Sequence, residues 1–96
     1  MNRLAALRQD YNTGLLRYLV RPDEGPLHTA YVIGRSAVAE GLSILDLSRI
    51  HHEVLIEILQ DTSGDDLGPL VTSAAQFFGE ALATYDMTQR SFLGGS

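Results

Sequence analysis

The sequence lacks cysteine, lysine and tryptophan altogether among its 96 residues. Without cysteine there is no disulfide framework, no thiolate nucleophile and no cysteine-ligated zinc or iron–sulfur site. Without lysine there is no phosphate-binding P-loop, and the glycine-flanked segment 64–68 carries two carboxylates where such a loop presents bare amides. The composition therefore excludes several common classes of enzyme site.

The sequence also has few basic residues and no long apolar run. Seven arginines stand against twelve acidic residues, and the resulting net charge of −5 argues against binding to nucleic acid or anionic lipid. Charges interrupt the N-terminal segment every few residues, so this segment predicts neither a signal peptide nor a membrane span. We expect a soluble, cytoplasmic protein that needs no cofactor and whose partner is another protein or a small molecule.

The length favours one compact domain over residues 1–96, with a single hydrophobic core. Apolar residues recur at the three-and-four spacing of amphipathic helices, and no stretch alternates with period two. Arg21 to Pro26 ends the first helix, with Pro26 suited to the first turn of the second, and Gly41 ends the second. Four helices are predicted, and their apolar series run from Leu4 to Leu19, Leu27 to Val38, Ile44 to Ile58 and Leu70 to Tyr85.

Short connections favour antiparallel neighbours, so the predicted fold is all-α: an antiparallel four-helix bundle or a pair of helical hairpins. The fourth helix, from Leu67 to about Phe92, would be roughly 40 Å long, and its last turns are expected to protrude. A protruding, heptad-spaced end usually contacts a partner helix, either in a dimer that buries the apolar strip of this helix or in a coiled-coil connector. The closing Gly94–Ser96 is typical of a linker.

The third helix carries two adjacent histidines, His51 and His52, in an otherwise apolar segment. Neighbouring residues point about 100° apart around a helix, so these imidazoles cannot chelate one metal ion together. No metal site is predicted, because neither histidine has a second ligand one turn on.

Two interpretations of the histidines are open. A surface histidine followed by an acid, as in His52-Glu53, is similar to the phosphoacceptor helix of phosphotransfer bundles and of histidine kinase dimerisation domains. The residues that follow lack the kink-forming proline of such kinases. The other interpretation makes His51 a packing residue in register with Leu47 and Val54, with one ring nitrogen hydrogen-bonded and His52 and Glu53 solvated.

Other polar and small residues receive structural interpretations. For Arg35 and Glu80 two interpretations are open: an ion pair across facing helices, or a contact of either residue with a partner. Gly34 with Ala37, and Gly79 with Ala83, form small-residue strips that permit close helix approach, either within the chain or from another one. The tyrosines are predicted to face the core, and they are Tyr11, Tyr18, Tyr31 and Tyr85.

A recognisable order of residues extends over nearly the whole chain. It comprises Tyr11, Leu15, Leu16, Tyr18 and Leu19, then Leu27, Ala30 and Arg35, then Ile50, His51, Val54 and Leu55, and finally Phe77, Glu80, Tyr85 and Met87. In this order the chain resembles the N-terminal domain of RsbU-type stress-response serine phosphatases. That all-α dimerising module is also similar to the C-terminal domain of the circadian clock protein KaiA.

The resemblance implies a domain without catalytic activity of its own. Such a domain binds a protein activator, a GHKL-type switch kinase, and relays this binding through a helical linker to a metal-dependent phosphatase. The family's partner surface corresponds to His28 at the start of the second helix, with Tyr31 beside it, and to Gly79 and Ala83 on the fourth. Better-known members carry an aromatic and two large aliphatic residues at His28, Gly79 and Ala83, so either the activator differs or the domain serves a histidine kinase or another output.

The leading hypothesis is therefore a non-catalytic, homodimeric interaction domain whose fourth helix passes partner binding to an appended effector, a serine phosphatase of bacterial stress signalling. The alternative is a histidine phosphotransfer or histidine kinase dimerisation bundle that uses His52. A small-ligand sensor is a third hypothesis, motivated only by the Gly/Ala-lined helix faces.

Overall fold

The computed structural model describes residues 2–94, and of Leu93 and Gly94 it describes the backbone only. Within this range the chain forms four α-helices and no strand, as the periodicity predicted. The helices are α1 (Arg3–Val20), α2 (Glu24–Ala39), α3 (Ile44–Gln60) and α4 (Leu67–Gly94), and a single 3₁₀ turn (Gly64–Asp66) precedes α4. Gly95 and Ser96, which belong to the predicted linker, lie outside the described residues.

Local sequence signals set the helix ends. The Asn2 side chain accepts a hydrogen bond from the Leu4 amide at the start of α1. At α3, Ser43 and Asp46 exchange side-chain-to-backbone hydrogen bonds of 3.1 and 3.0 Å, which form a capping box with aspartate in the position of the usual glutamate. Each cap satisfies amides that would otherwise lack an intrahelical partner.

Gly41 ends α2 as predicted, and its φ of 75° explains why a glycine stands there. The Gly41 amide donates to the Val38 carbonyl, and the Leu42 amide donates to the Ala37 carbonyl, in the pattern of a Schellman motif. This left-handed residue turns the chain out of α2 and toward α3.

The helices pack as an up-down-up-down bundle in which the closest pair is parallel. The most extensive contact joins α2 to α4, whereas the consecutive helices α2 and α3 barely touch. Gly34 explains this arrangement, because a Cβ atom at this position would lie 2.5 Å from the Ala81 carbonyl oxygen and 2.9 Å from Cβ of Thr84. The bare backbone of α2 therefore rests directly on α4.

One hydrophobic core lies between the helices. Tyr11, Leu15 and Phe77 are fully buried at its centre, where the Phe77 ring meets Tyr11 edge-on with centroids 5.2 Å apart. The buried apolar residues are Leu7, Tyr11, Leu15 and Tyr18 of α1, Ala30, Ile33 and Ala37 of α2, Leu47, Ile50 and Val54 of α3, and Ala74, Phe77, Ala81 and Tyr85 of α4. All four helices contribute to this core, as a single domain requires.

The fourth helix has the length that was predicted. Its 28 residues correspond to about 42 Å at the α-helical rise, and the longest dimension of the molecule is 50 Å. Near its end, Met87 and Phe92 are 70% and 65% exposed. None of the described helices combines the length and the apolar character that a bilayer crossing requires.

Candidate functional site

His51 lies at the edge of the core, between α1 and α4. Its ring stacks on Phe78, with centroids 4.0 Å apart and an interplanar angle of 4°. The Tyr11 hydroxyl lies 2.5 Å from Nδ1 of His51 and, as a neutral phenol, donates to it. These contacts confirm the interpretation of His51 as a packing residue with one nitrogen hydrogen-bonded.

The surroundings of His51 keep its imidazole neutral. Burial, with a smaller contribution from the charge of His52, lowers the pKa of His51 to about 4. Burial also raises the pKa of Tyr11, so this hydroxyl stays protonated and continues to donate. The Nδ1 lone pair is therefore engaged at neutral pH and is not available as a nucleophile.

The depressed pKa of His51 predicts a loss of stability in mild acid. Between about pH 6.5, the ordinary value for histidine, and about pH 4, the unfolded chain binds a proton that the folded chain does not. The stabilisation is therefore complete above pH 6.5 and decreases as the pH falls toward 4, with a slope of at most about 1.4 kcal/mol per pH unit for one proton.

Urea unfolding of the wild type and of His51→Gln across this pH range measures the effect. We expect the variant to be less stable at pH 7 and to lose part of the dependence of its unfolding free energy on pH. The matched control is His28→Gln, which removes an exposed histidine in place of one packed against the core. Equal slopes for wild type and His51→Gln would show that His51 is not held neutral.

His52 and Glu53 lie on the exposed side of α3. Glu53 is not simply solvated as predicted, because its carboxylate accepts from Nε of Arg8 at 3.2 Å, and Nη2 of the same arginine donates to Glu57 at 2.7 Å. The paired carboxylates raise the pKa of Arg8. The acid beside His52 is thus engaged in linking α3 to α1, and a phosphotransfer role for His52 stays a prediction.

The first half of α2 presents an aromatic and cationic cluster. The exposed His28 stacks on the half-buried Tyr31, with ring centroids 5.3 Å apart and 22° between the planes. Nη1 of Arg35 donates to the Tyr31 hydroxyl at 2.9 Å, and the guanidinium lies 5.8 Å from the ring centroid. Tyr31 therefore lies less deep than the core position predicted for it, and it is held from both sides along α2.

The facing part of α4 supplies Gly79, Glu80 and Ala83. Gly79 and Ala83 are exposed, one helical turn apart, and a Cβ atom at Gly79 would meet nothing within 4 Å. This small-residue strip is therefore not used to pack helices within the chain, in contrast to Gly34. The ion pair that the sequence left open between Arg35 and Glu80 does not form, because Arg35 is directed to Tyr31 instead.

Open grooves run between α2 and α4 on this side of the bundle. One groove of about 490 Å³ is lined by Glu24, Leu27, His28, Tyr31 and Glu80. A second groove continues along α4 past Ala83 to Met87 and Thr88, with Tyr31 and Arg35 on its α2 wall. We call this surface the α2/α4 face, and it is defined by His28, Tyr31, Arg35, Glu80, Ala83 and Met87.

The α2/α4 face brings together three of the four residues predicted for the partner surface, His28, Tyr31 and Ala83, and Gly79 lies one turn before Ala83 on the same helix side. The sequence had left a partner contact open for Arg35 and Glu80, whereas it gave no sign that Met87 belongs to this face. Met87 is 70% exposed and lies outside the buried series of α4 that includes Ala81 and Tyr85.

Among residues 2–94 no group of three or more His, Asp or Glu side chains lies together in a way that could hold a metal ion.

Comparison with known protein families identifies a match over most of the chain. The family described as phosphoserine phosphatase RsbU, N-terminal domain, matches residues 9–88. Comparisons with curated proteins and with solved structures gave no significant match.

Proposed function

The chain belongs to the family of N-terminal domains of the phosphoserine phosphatase RsbU, and on this premise we propose that it is a non-catalytic, cytoplasmic regulatory domain. It forms a homodimer, binds a protein activator of the switch-kinase type, and controls an appended serine phosphatase or similar output in bacterial stress signalling. The match over residues 9–88 includes α2, α3 and most of α1 and α4, and it supports the regulatory assignment.

The observation that carries the proposal is the α2/α4 face. It combines a stacked aromatic pair, His28 and Tyr31, with an arginine and an exposed methionine, beside open grooves that a partner's side chains can fill. Aromatic residues, arginine and methionine are enriched where proteins bind one another, whereas lysine is depleted. The small side chains at Gly79 and Ala83 leave room for large side chains of the activator.

The position of α4 supports the proposal that activator binding at the α2/α4 face is passed on to the output. The same helix carries Ala83 in the face and, nine residues later, the exposed Phe92 near its end. An activator bound at the face therefore contacts a helix that continues toward the output. In this proposal the last turns of α4 are the start of the connector, one of the two roles expected for a protruding end.

Blocking the face tests the proposal. With a purified GHKL-type switch kinase from the same bacterium as the analyte, surface plasmon resonance should detect binding to the wild-type domain. Ala83→Arg fills the groove beside Tyr31 with a long charged side chain and should weaken binding at least about tenfold, as expected for the centre of an interface.

The matched control is Ala5→Arg, which introduces the same side chain at an exposed position of α1 that lines none of the α2/α4 grooves. It should leave the affinity within about twofold of wild type, since rim or remote substitutions change little. Equal loss in both variants would place the binding surface elsewhere. No binding to the wild type would remove the switch kinase as the partner class.

A further inference from the structure

A groove between α1 and α2 brings together polar side chains from both helices. It has a volume of about 270 Å³ and shares no residue with the α2/α4 face. A space of this size lies at the lower end of the range for ligand sites, so it suits a small molecule. We call it the α1/α2 groove, and its polar lining residues are Gln9, Asp10, Thr13 and Arg17 of α1 and Thr29 and Ser36 of α2.

Helical spacing places these side chains on the facing sides of the two helices. The groove residues recur at intervals of three and four, from Asp10 to Arg17 on α1 and from Thr29 to Ser36 on α2. Gly14 lies at the centre, where a Cβ atom would come within 2.6 Å of Cγ2 of Thr29. Thr29 therefore rests on the bare backbone of α1, and the side chains on either side of this contact form the walls of the groove.

The polar side chains of the groove are not used to hold the fold together. Among the residues that the structure describes, five arginines donate to an oxygen atom of the chain, whereas Arg17 and Arg49 do not. The hydroxyl of Thr62 donates to a backbone carbonyl at 2.9 Å, but within residues 2–94 no such bond involves the three hydroxyls of the groove. In the same range Asp10 has no cationic partner. These groups are therefore available to a ligand.

The two charged side chains mark the ends of the groove. Asp10 and Arg17 are seven residues apart in the sequence, which corresponds to about two helical turns and about 10.5 Å along the axis of α1. Direct side-chain pairs on a helix form at a spacing of three or four residues, so these two do not pair. A ligand that bridges them needs a positive group near Asp10 and a negative group near Arg17. This is the charge pattern of a linear zwitterion.

The middle of the groove favours a peptide over an aliphatic zwitterion. The hydroxyls of Thr13 and Thr29 belong to residues between the charged ends, and a hydroxyl both donates and accepts hydrogen bonds. A peptide unit presents one donor and one acceptor to such groups, whereas a methylene chain presents neither. Val32, which is 46% exposed, and the buried Ile33 supply an apolar wall for the side chains of the peptide.

We propose that the α1/α2 groove binds a free dipeptide, with Arg17 holding its carboxylate and Asp10 holding its ammonium group. Both contacts are charge-assisted hydrogen bonds, and a carboxylate fits the forked donors of a guanidinium. This site goes beyond the proposed function, because it gives the domain a small-molecule input in addition to its protein activator. It depends neither on the homodimer nor on the α2/α4 face.

Nuclear magnetic resonance titration with the dipeptide alanylalanine tests the site. In isotope-labelled protein the amide signals of Thr13 and Thr29 should shift in a saturable manner, with a dissociation constant of about 1 mM or less. The same dipeptide acetylated at its amino group, or amidated at its carboxyl group, should bind at least about tenfold more weakly, because each form loses one charge-assisted contact. The absence of a saturable shift up to about 10 mM would overturn the inference.

Two variants assign each end of the dipeptide to its residue. Arg17→Gln should weaken binding of alanylalanine at least about tenfold and make it insensitive to amidation, because the carboxylate has lost its partner. Asp10→Asn should do the same for acetylation of the amino group. The matched control is Arg49→Gln, which removes the other exposed arginine that has no partner among the described residues. It should leave the affinity within about twofold of wild type, since a distant surface charge is screened by salt.

Three other results would contradict a dipeptide site in this groove. Equal losses in Arg17→Gln and Arg49→Gln would show that the overall charge of the protein attracts the probe. Binding that depends on Arg17 but not on Asp10 or on the free amino group of the probe would show a simple anion site. Shifts confined to the α2/α4 face would place the probe there. None of these results bears on activator binding, which Ala83→Arg tests separately.

Discussion

Phe77→Ala is expected to lower the free energy of unfolding by about 3–5 kcal/mol, the usual range for removal of a fully buried aromatic side chain. Phe77 has no exposed surface, and its ring contacts Tyr11 edge-on and Tyr18 at a centroid distance of 5.8 Å. Removal of the ring leaves a cavity between α1 and α4 and also deletes both aromatic contacts, each of which contributes beyond the buried area. For a domain of this size the loss is a large part of the total stability.

Chemical denaturation followed by circular dichroism measures this loss, and Phe92→Ala is the matched control. Phe92 lies on the same helix but is 65% exposed, so its removal should change the unfolding free energy by no more than about 0.5 kcal/mol. A small loss for Phe77→Ala would mean that α1 and α4 close the cavity by moving together. Equal losses for the two variants would contradict the burial described for Phe77.

Gly34→Ala is expected to destabilise the domain by about 1–3 kcal/mol, although alanine is the better helix former. The added methyl group would lie 2.5 Å from the Ala81 carbonyl oxygen and 3.0 Å from the Tyr85 amide nitrogen. Both atoms belong to the backbone of α4, so no side-chain rotation relieves the clash. The two helices must separate, and the core residues between them lose contact.

The same substitution at Gly79 provides the comparison. Nothing lies within 4 Å of a Cβ atom there, and the position is exposed in the interior of α4. Gly79→Ala should therefore stabilise the domain by up to about 1 kcal/mol through helix propensity alone. Thermal and urea unfolding of the two variants should move in opposite directions. A shift in the same direction would show that α2 does not rest on α4 through Gly34.

The helices themselves could be predicted because their signals are local. The capping box at Ser43, the left-handed stop at Gly41 and the three-and-four spacing of α4 each involve residues within one or two turns. The packing role of His51 could also be predicted, since its register with Leu47 and Val54 places it on the core side of α3. Its partner, the Tyr11 hydroxyl, comes from a residue 40 positions away, and no local pattern identifies it.

The arrangement of helices was harder to predict. Short connections favour contact between consecutive helices, yet α2 packs on α4 and hardly on α3. The decisive residue is Gly34, but Gly79 has the same small-residue neighbourhood in the sequence and packs against nothing. Which of two glycines is covered depends on the rotation of both helices about their axes, which is a tertiary property.

The candidate site also combines residues that the sequence could identify with contacts that depend on the tertiary arrangement. Resemblance identified His28, Gly79 and Ala83, and Tyr31 was assigned beside His28. The contribution of Arg35 depends on its bond to the Tyr31 hydroxyl, which forms in place of an ion pair with Glu80. Glu53 was assigned to solvent because its partner, Arg8, lies on α1 at a sequence distance of 45. Pairing of long charged side chains across helices is decided by geometry that residue spacing does not contain.

The direct contact between the backbones of α2 and α4 at Gly34 has a mechanical consequence. Close-packed interfaces of this kind hardly compress, so the parallel helices α2 and α4 are expected to move together and not independently of each other. On α4, Gly79 and Phe92 are separated by about 20 Å at the α-helical rise. A change in the tilt of α2 is therefore expected to change the tilt of α4 as well, because Gly34 lets the two helix backbones lie in direct contact.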